Sequence, residues 1–208
     1  NTPKHILING TNVSPRVINP NPENVKLLYV GTLSPSKGIK DLLISIRELS
    51  LEHKNFTLTI VGKGPLYEEC KNFIDTNDLS NHVKAIGAID KQKLSDIYKQ
   101  SDVYISTNRL GNISNTVLEA AGSGLCMILL GEDENAKTDY FSKEFWADNV
   151  IYVDRKGLSQ NLSKQIQTVL CDTSLITNYS KKIGKFATLN LNEWDERIKK
   201  ELSLILNI

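Results

Sequence analysis

Residues Val103–Leu130, VYISTNRLGNISNTVLEAAGSGLCMILL, decide the fold. Val103 to Ser106 is a short run of β-branched and aromatic residues, the composition of a strand. A polar loop follows. From Asn115 the sequence reads as a short helix with one acidic residue, Glu119, and a small-residue turn, Gly122-Ser123-Gly124, ends it. Cys126 to Leu130 is then continuously apolar, as a strand buried on both faces must be. A helix entered from a strand end points free N–H groups and partial positive charge above the sheet, which suits a phosphate. Asn115 or Thr116 is expected to cap that helix. Glu119, roughly one turn further on, stands where a carboxylate accepts hydrogen bonds from ribose hydroxyls, although a solvated helix residue fits the same position.

The same alternation runs outward in both directions. Lys26 to Val30, Phe56 to Val61, Val83 to Ile86 and Val150 to Val153 read as further strands, giving about six. Between them, Ile39, Leu42, Leu43, Ile46 and Leu49 share one helical face. Leu66, Cys70, Phe73 and Ile74 share another, and Leu94, Ile97 and Tyr98 a third. Strands alternating with helices predict an α/β chain: a doubly wound, Rossmann-like parallel sheet with helices on both faces. Ligands of such sheets sit over the carboxyl ends of the strands where strand order reverses. The turns after Val30, Val61, Ile86, Ser106 and Leu130 are therefore the candidates to line a pocket. Residues 1–24, with Pro15, Pro20 and Pro22, read as a linker entering a domain over 25–188. Leu158, Leu162, Ile166, Val169 and Leu170 form a helical stripe in the tail. Leu191, Trp194, Ile198, Leu202 and Ile205 form another over 189–208, expected to pack on the sheet domain or on a neighbour.

At 208 residues the chain can bury a sizeable core, and its formal charge of +1 supplies no broad basic face of the kind nucleic acid requires. Any anion must be met by a few local groups. Cys70, Cys126 and Cys171 are far apart, and the first two fall on apolar stripes, so free buried thiols are expected rather than a disulfide or metal site. His5, His53 and His82 lack ligand-spaced partners and read as structural or exposed. No metal and no cofactor is expected. The longest apolar run, Leu125 to Leu130, is far short of a membrane span, and no signal peptide is visible. A first residue of Asn rather than Met suggests part of a longer protein.

Three glycine turns carry the remaining chemistry. Gly31-Thr32-Leu33-Ser34-Pro35-Ser36-Lys37-Gly38 follows a strand and opens a helix, placing the Lys37 point charge near a helix start. Its spacing is neither a Walker A loop nor G-x-G-x-x-G. Gly62-Lys63-Gly64-Pro65 repeats the arrangement, with Pro65 preset for a first helical turn and glycines that leave room for a flat ligand. Gly87 follows the third strand. Each of these also reads as a plain turn.

In their order these motifs resemble a known pattern. Gly-x-Leu-Ser-Pro-x-Lys-Gly, Val-Gly-x-Gly-Pro, Ile-Gly, Ser-Asp-Val-Tyr-Ile-Ser and Leu-Glu-Ala-Ala-Gly-Ser-Gly resemble the C-terminal, donor-binding domain of family 4 retaining glycosyltransferases, which have the GT-B fold. The likeness covers about Leu27 to about Val153. Asn9-Gly10-Thr11-Asn12 looks like the Asn-Gly-Val-Asp preceding that domain, and the Trp194 helix looks like the C-terminal helix that crosses back to the N-terminal domain. The resemblance implies a nucleotide-diphosphate-sugar donor of UDP or GDP type. Lys37 would meet the diphosphate with Gly31 and Thr32 beside it, and Asn115 and Thr116 would begin the helix facing the phosphates. Glu119 would bind the ribose, Gly62 and Gly64 would border the nucleoside, and residues near Gly87 the base.

Two departures stand out: Thr32 replaces a customary Arg, and Gly111 replaces the first Glu of the family's Glu-x7-Glu pair. Arg109 is the expected substitute for the missing positive charge. The family further implies hexosyl transfer to a glycan or lipid-linked acceptor held by an N-terminal domain, in surface polysaccharide or glycolipid assembly. The setting would be cytoplasmic, peripheral at the inner membrane face through that other domain. The chain alone is expected to bind donor without transferring sugar. The rival is a non-catalytic nucleotide-sugar-binding or regulatory module. An epimerase on the same fold lacks its acidic and His residues here, and a flavodoxin-like signalling domain lacks its acidic cluster.

Overall fold

The computed structural model describes residues 7–131 and 140–206, the backbone alone at 140–142 and 206. Six strands form one parallel sheet: β1 (Val25–Val30), β2 (Phe56–Val61), β3 (Val83–Gly87), β4 (Val103–Ser106), β5 (Cys126–Leu130) and β6 (Ile151–Val153). Their order is β3-β2-β1-β4-β5-β6. The chain walks outward from β1 to β3, then returns across the sheet and walks the other way from β4 to β6. Right-handed crossovers in opposite directions put the connecting helices on opposite faces. On one face, α1 (Ile39–Glu52) packs against α2 (Tyr67–Thr76) and α6 (Leu158–Cys171). The other carries α3 (Lys91–Gln100) and α4 (Asn115–Gly122), with α7 (Ser174–Asn190) against α4 and β5. α5 (Tyr140–Trp146) and α8 (Trp194–Leu206) complete the described helices.

Because both faces are covered, every residue of β4 and β5 is buried. The five apolar positions of the α1 stripe are buried, as are all five of the α6 stripe. Asp102 ties the strands at the amino end of the sheet. Its carboxylate accepts from the Lys26 amide at 2.9 Å, and its carbonyl accepts from the Cys126 amide. Burial raises the Asp102 pKa, opposed by that amide and by Arg16. Cys70 and Cys126 are buried free thiols, pushed up to about 11 and about 12 by burial, whereas Cys171 is exposed. His82 stacks on Phe56 with centroids 4.8 Å apart, and His53 meets Gln167; His5 lies outside the described residues.

The residues before β1 pack on the domain where they are described: Ile18 and Thr11 are buried, and the amides of Ser14 and Arg16 donate to the carbonyls of Gly122 and Ser123. Aperiodic, proline-rich sequence does not show what a segment packs against. Two expectations need correction. Leu191 does not belong to the Trp194 stripe. It closes α7, a helix the hydrophobic pattern did not single out, and α8 begins three residues later. The rest of that stripe, Trp194, Ile198, Leu202 and Ile205, is exposed and does not cover the sheet. Pro65 stands outside α2, whose cap is Leu66.

Candidate functional site

The switch point of this topology lies between β1 and β4, and a recess of about 230 Å³ opens there. Its walls come from the ends of the two strands and the start of α4: Gly31 and Thr32 after β1, Ser106 and Asn108 at the end of β4, and Ser114 to Thr116. Tyr29 and Tyr104 also line it. Tyr104 is fully buried, and burial raises its pKa well above the ordinary phenol range.

Lys37 reaches this recess from a single 3-10 turn, Pro35–Lys37, that ends in Gly38. Its backbone carbonyl accepts the Thr107 hydroxyl at 2.7 Å, and its ammonium donates to Asn108 Oδ1 at 3.2 Å. Among the described residues lining the recess there is no Asp or Glu, and Lys37 is the single cation. The recess is therefore electropositive without a broad basic surface.

The entry to α4 adds to that field. The cap is Ser114, not Asn115 or Thr116, and its side chain makes no bond back to the first-turn amides. Each hydroxyl or amide that could have capped is occupied elsewhere. Ser114 Oγ pairs with Thr116 Oγ1 at 3.1 Å, Thr116 Oγ1 accepts from the Tyr104 hydroxyl at 3.0 Å, and Asn115 Oδ1 accepts from Asn9 at 2.7 Å. Uncapped helix-start amides next to an ammonium are the groups that bind phosphate oxygens.

Glu119 occupies a neighbouring recess. Its half-buried carboxylate lines a second cavity with Thr11, Lys91, Ser95, Tyr98 and Trp194, and burial raises its pKa against the pull of Tyr98 and Lys91. The two recesses share the first turn of α4 as a wall, since Tyr98 donates to the Thr116 carbonyl at 3.1 Å from the far side. Lys37 and Glu119 thus stand at adjoining openings rather than in one chamber.

The other expected site residues divide. Gly31, Thr32, Asn115 and Thr116 line the Lys37 recess, and Gly62, Gly64, Gly87 and Arg109 do not. A Cβ on Gly62, whose φ is 135°, would lie 1.9 Å from the Gly31 carbonyl oxygen, and one on Gly64 would lie 2.5 Å from that of Leu33. The space beside these two glycines is filled by the β1 loop, so backbone-to-backbone packing requires them. Gly87 sits near the side chains of Lys63 and Tyr67. Arg109 bonds Asp41 at 2.7 Å, which turns its guanidinium toward α1. Sequence reading passed over Asn108, Tyr104, Ser106 and Ser114 as site residues. Their signal was positional, since Ser106, Asn108 and Ser114 lie at or just beyond the end of β4 or at the start of α4, and Tyr104 lies within β4. No group of three His, Cys, Asp or Glu side chains is gathered for a metal among the described residues. Within the same residues no helix is long and apolar enough to cross a membrane.

Sheet order and strand direction define a doubly wound α/β domain with a recess at its switch point. The chain belongs to the glycosyl transferases group 1 family, whose sequence pattern matches residues 11–190. It is 23% identical over 106 residues to the GPI3 subunit of phosphatidylinositol N-acetylglucosaminyltransferase from Saccharomyces cerevisiae, a match covering 51% of this chain and 24% of that protein. The chain thus spans about a quarter of the yeast relative. Among solved structures, Anabaena HepE in complex with UDP and glucose superimposes with a TM-score of 0.73 at 18% identity, covering 89% of this chain and 49% of that one. The C-terminal domain of a group 1 family glycosyl transferase, LpcC, from Francisella tularensis gives 0.68 at 17% identity, covering 80% and 85%. These superpositions establish the α/β fold of GT-B glycosyltransferases.

Proposed function

We propose that this chain is the donor-binding domain of a retaining glycosyltransferase of family 4, placed as the C-terminal half of a longer protein. The carrying observation is the recess at the β1–β4 switch, lined by no carboxylate among the described residues, where the Lys37 ammonium and the first-turn amides of α4 face one cavity. That combination fits the diphosphate of a UDP- or GDP-linked hexose. When the glycosidic bond breaks, negative charge builds on the departing diphosphate, and fixed donors placed there lower the barrier without reorganising. Lys37 and the α4 amides fill that role. Glu119, one recess along, receives the ribose hydroxyls if the nucleoside lies across the first turn of α4. The HepE complex, which holds UDP and glucose on the same fold, supports this reading. The acceptor, a glycan or lipid-linked chain, is held by an N-terminal domain, so this domain binds donor and does not transfer sugar alone. The setting is surface glycan assembly at the inner face of a membrane.

Calorimetric titration with UDP, GDP and ADP tests the reading. One nucleoside diphosphate should bind tightly, and Lys37→Ala should weaken it about tenfold to a hundredfold. No saturable binding of any of the three would refute it. A non-catalytic nucleotide-sugar module is the second reading. It is favoured by the Arg109–Asp41 pair, which leaves Lys37 as the single lining cation among the described residues where Thr32 supplies no charge. Sugar transfer by the full-length protein would exclude it.

A further inference from the structure

We propose that Asn108 positions the Lys37 ammonium for anion binding, and that it succeeds because it is neutral. The inference rests on the reading of the recess as a diphosphate site. A lysine carries its charge on a flexible four-carbon stem, so a site that uses it must fix its direction. Here the segment after β4 holds residue 37 at both ends, through Thr107 on the carbonyl and Asn108 on the ammonium. Asn108 is itself fixed, being only 8% exposed. Its Oδ1 accepts the Leu110 amide at 3.1 Å, and its Nδ2 donates to the Gly111 carbonyl at 2.6 Å. The carboxamide therefore joins the cation to the loop at 109–111.

An ammonium has three donors, and the bond to Asn108 uses one, leaving two for phosphate oxygens. An aspartate at 108 would aim the ammonium equally well but cancel its charge. No carboxylate among the described residues lines the recess to do so. The amide supplies direction without neutralisation.

The test titrates the wild type, Asn108→Asp and Asn108→Ala with UDP, with inorganic pyrophosphate and with uncharged uridine, at low and near-physiological salt, alongside thermal melts. Both substitutions remove the bond to Gly111, but only Asp places a negative charge on Lys37. Asn108→Asp should weaken UDP and pyrophosphate about tenfold or more and flatten the salt dependence, with a Tm no lower than that of Asn108→Ala. Asn108→Ala should lose less affinity, and uridine binding should not change. Equal losses in the two variants, accompanied by lower Tm, would mean that Asn108 only holds the loop, and would overturn the proposal. So would an Asp variant that binds UDP within about twofold of wild type. A wild type that binds pyrophosphate but no nucleoside diphosphate defeats the donor reading alone, because the pyrophosphate comparison still decides Asn108. A wild type that binds neither defeats both.

Discussion

Glu119 shows how a single carboxylate reports its surroundings. Burial raises its pKa above the ordinary 4.5, so the folded protein holds that proton at higher pH than the unfolded chain does. A raised folded pKa contributes stability that is fully present below the unfolded value and is lost as pH rises through the folded one. Glu119→Gln removes this dependence. The variant should melt higher than wild type at neutral pH, with the gap closing as pH falls toward about 4.5; a gap independent of pH would rule out desolvation as the cause. Gly62 makes a steric prediction. With φ at 135° and a Cβ only 1.9 Å from the Gly31 oxygen, Gly62→Ala forces the β1 and β2 loops apart. It should cost about 3 kcal/mol or more in urea unfolding. Gly111 has a φ of 128°, a backbone geometry unsuited to any L side chain. A glutamate there would strain the loop before it offered a carboxylate, so the departure at 111 involves the loop's path as well as one side chain. The glycines were legible in the sequence as turn residues. Their occupants were not, because a glycine kept clear for a ligand and one kept clear for another loop look alike along the chain.

At the scale of elements, hydrophobic periodicity located all six strands within a residue, and α1 and α6 by their buried stripes. Buried faces must repeat every second residue in a strand and three to four residues apart in a helix, so the pattern is local. Helix starts were read less well. Asn115 and Thr116 both suit a cap by composition, but tertiary partners Asn9 and Tyr104 claim their side chains. α4 is left uncapped toward the recess as a result. The knot that Asp102 makes between β1, β4 and β5 was likewise invisible, since it depends on strands distant in sequence lying side by side. Asp102→Ala removes the carboxylate bond to the Lys26 amide and keeps the backbone bond to Cys126, and it should cost about 1–3 kcal/mol, read as a lower urea midpoint with an unchanged slope.

Over the whole molecule, the core and the exposed apolar surface separate cleanly. Ile166 on α6 is fully buried, and Ile166→Ala should cost about 2–5 kcal/mol. On α8, Leu202 is 50% exposed and Ile205 67%, so the same truncations should change stability by less than about 0.5 kcal/mol. Equal destabilisation at both places would mean that α8 packs elsewhere in solution. The amino-acid sequence by itself determined the alternation of strand and helix, the burial of the sheet on both faces and the short turns at its carboxyl end. Those follow from the periodicity of apolar residues and the chemistry of glycine and proline, which act between near neighbours. Only the tertiary structure decided that Lys37 and α4 share a recess while Glu119 opens into the next one and Arg109 turns to Asp41. Such pairings link residues far apart in sequence, 68 positions for Arg109 and Asp41, and their geometry is set by strand order and helix packing, which no local pattern encodes.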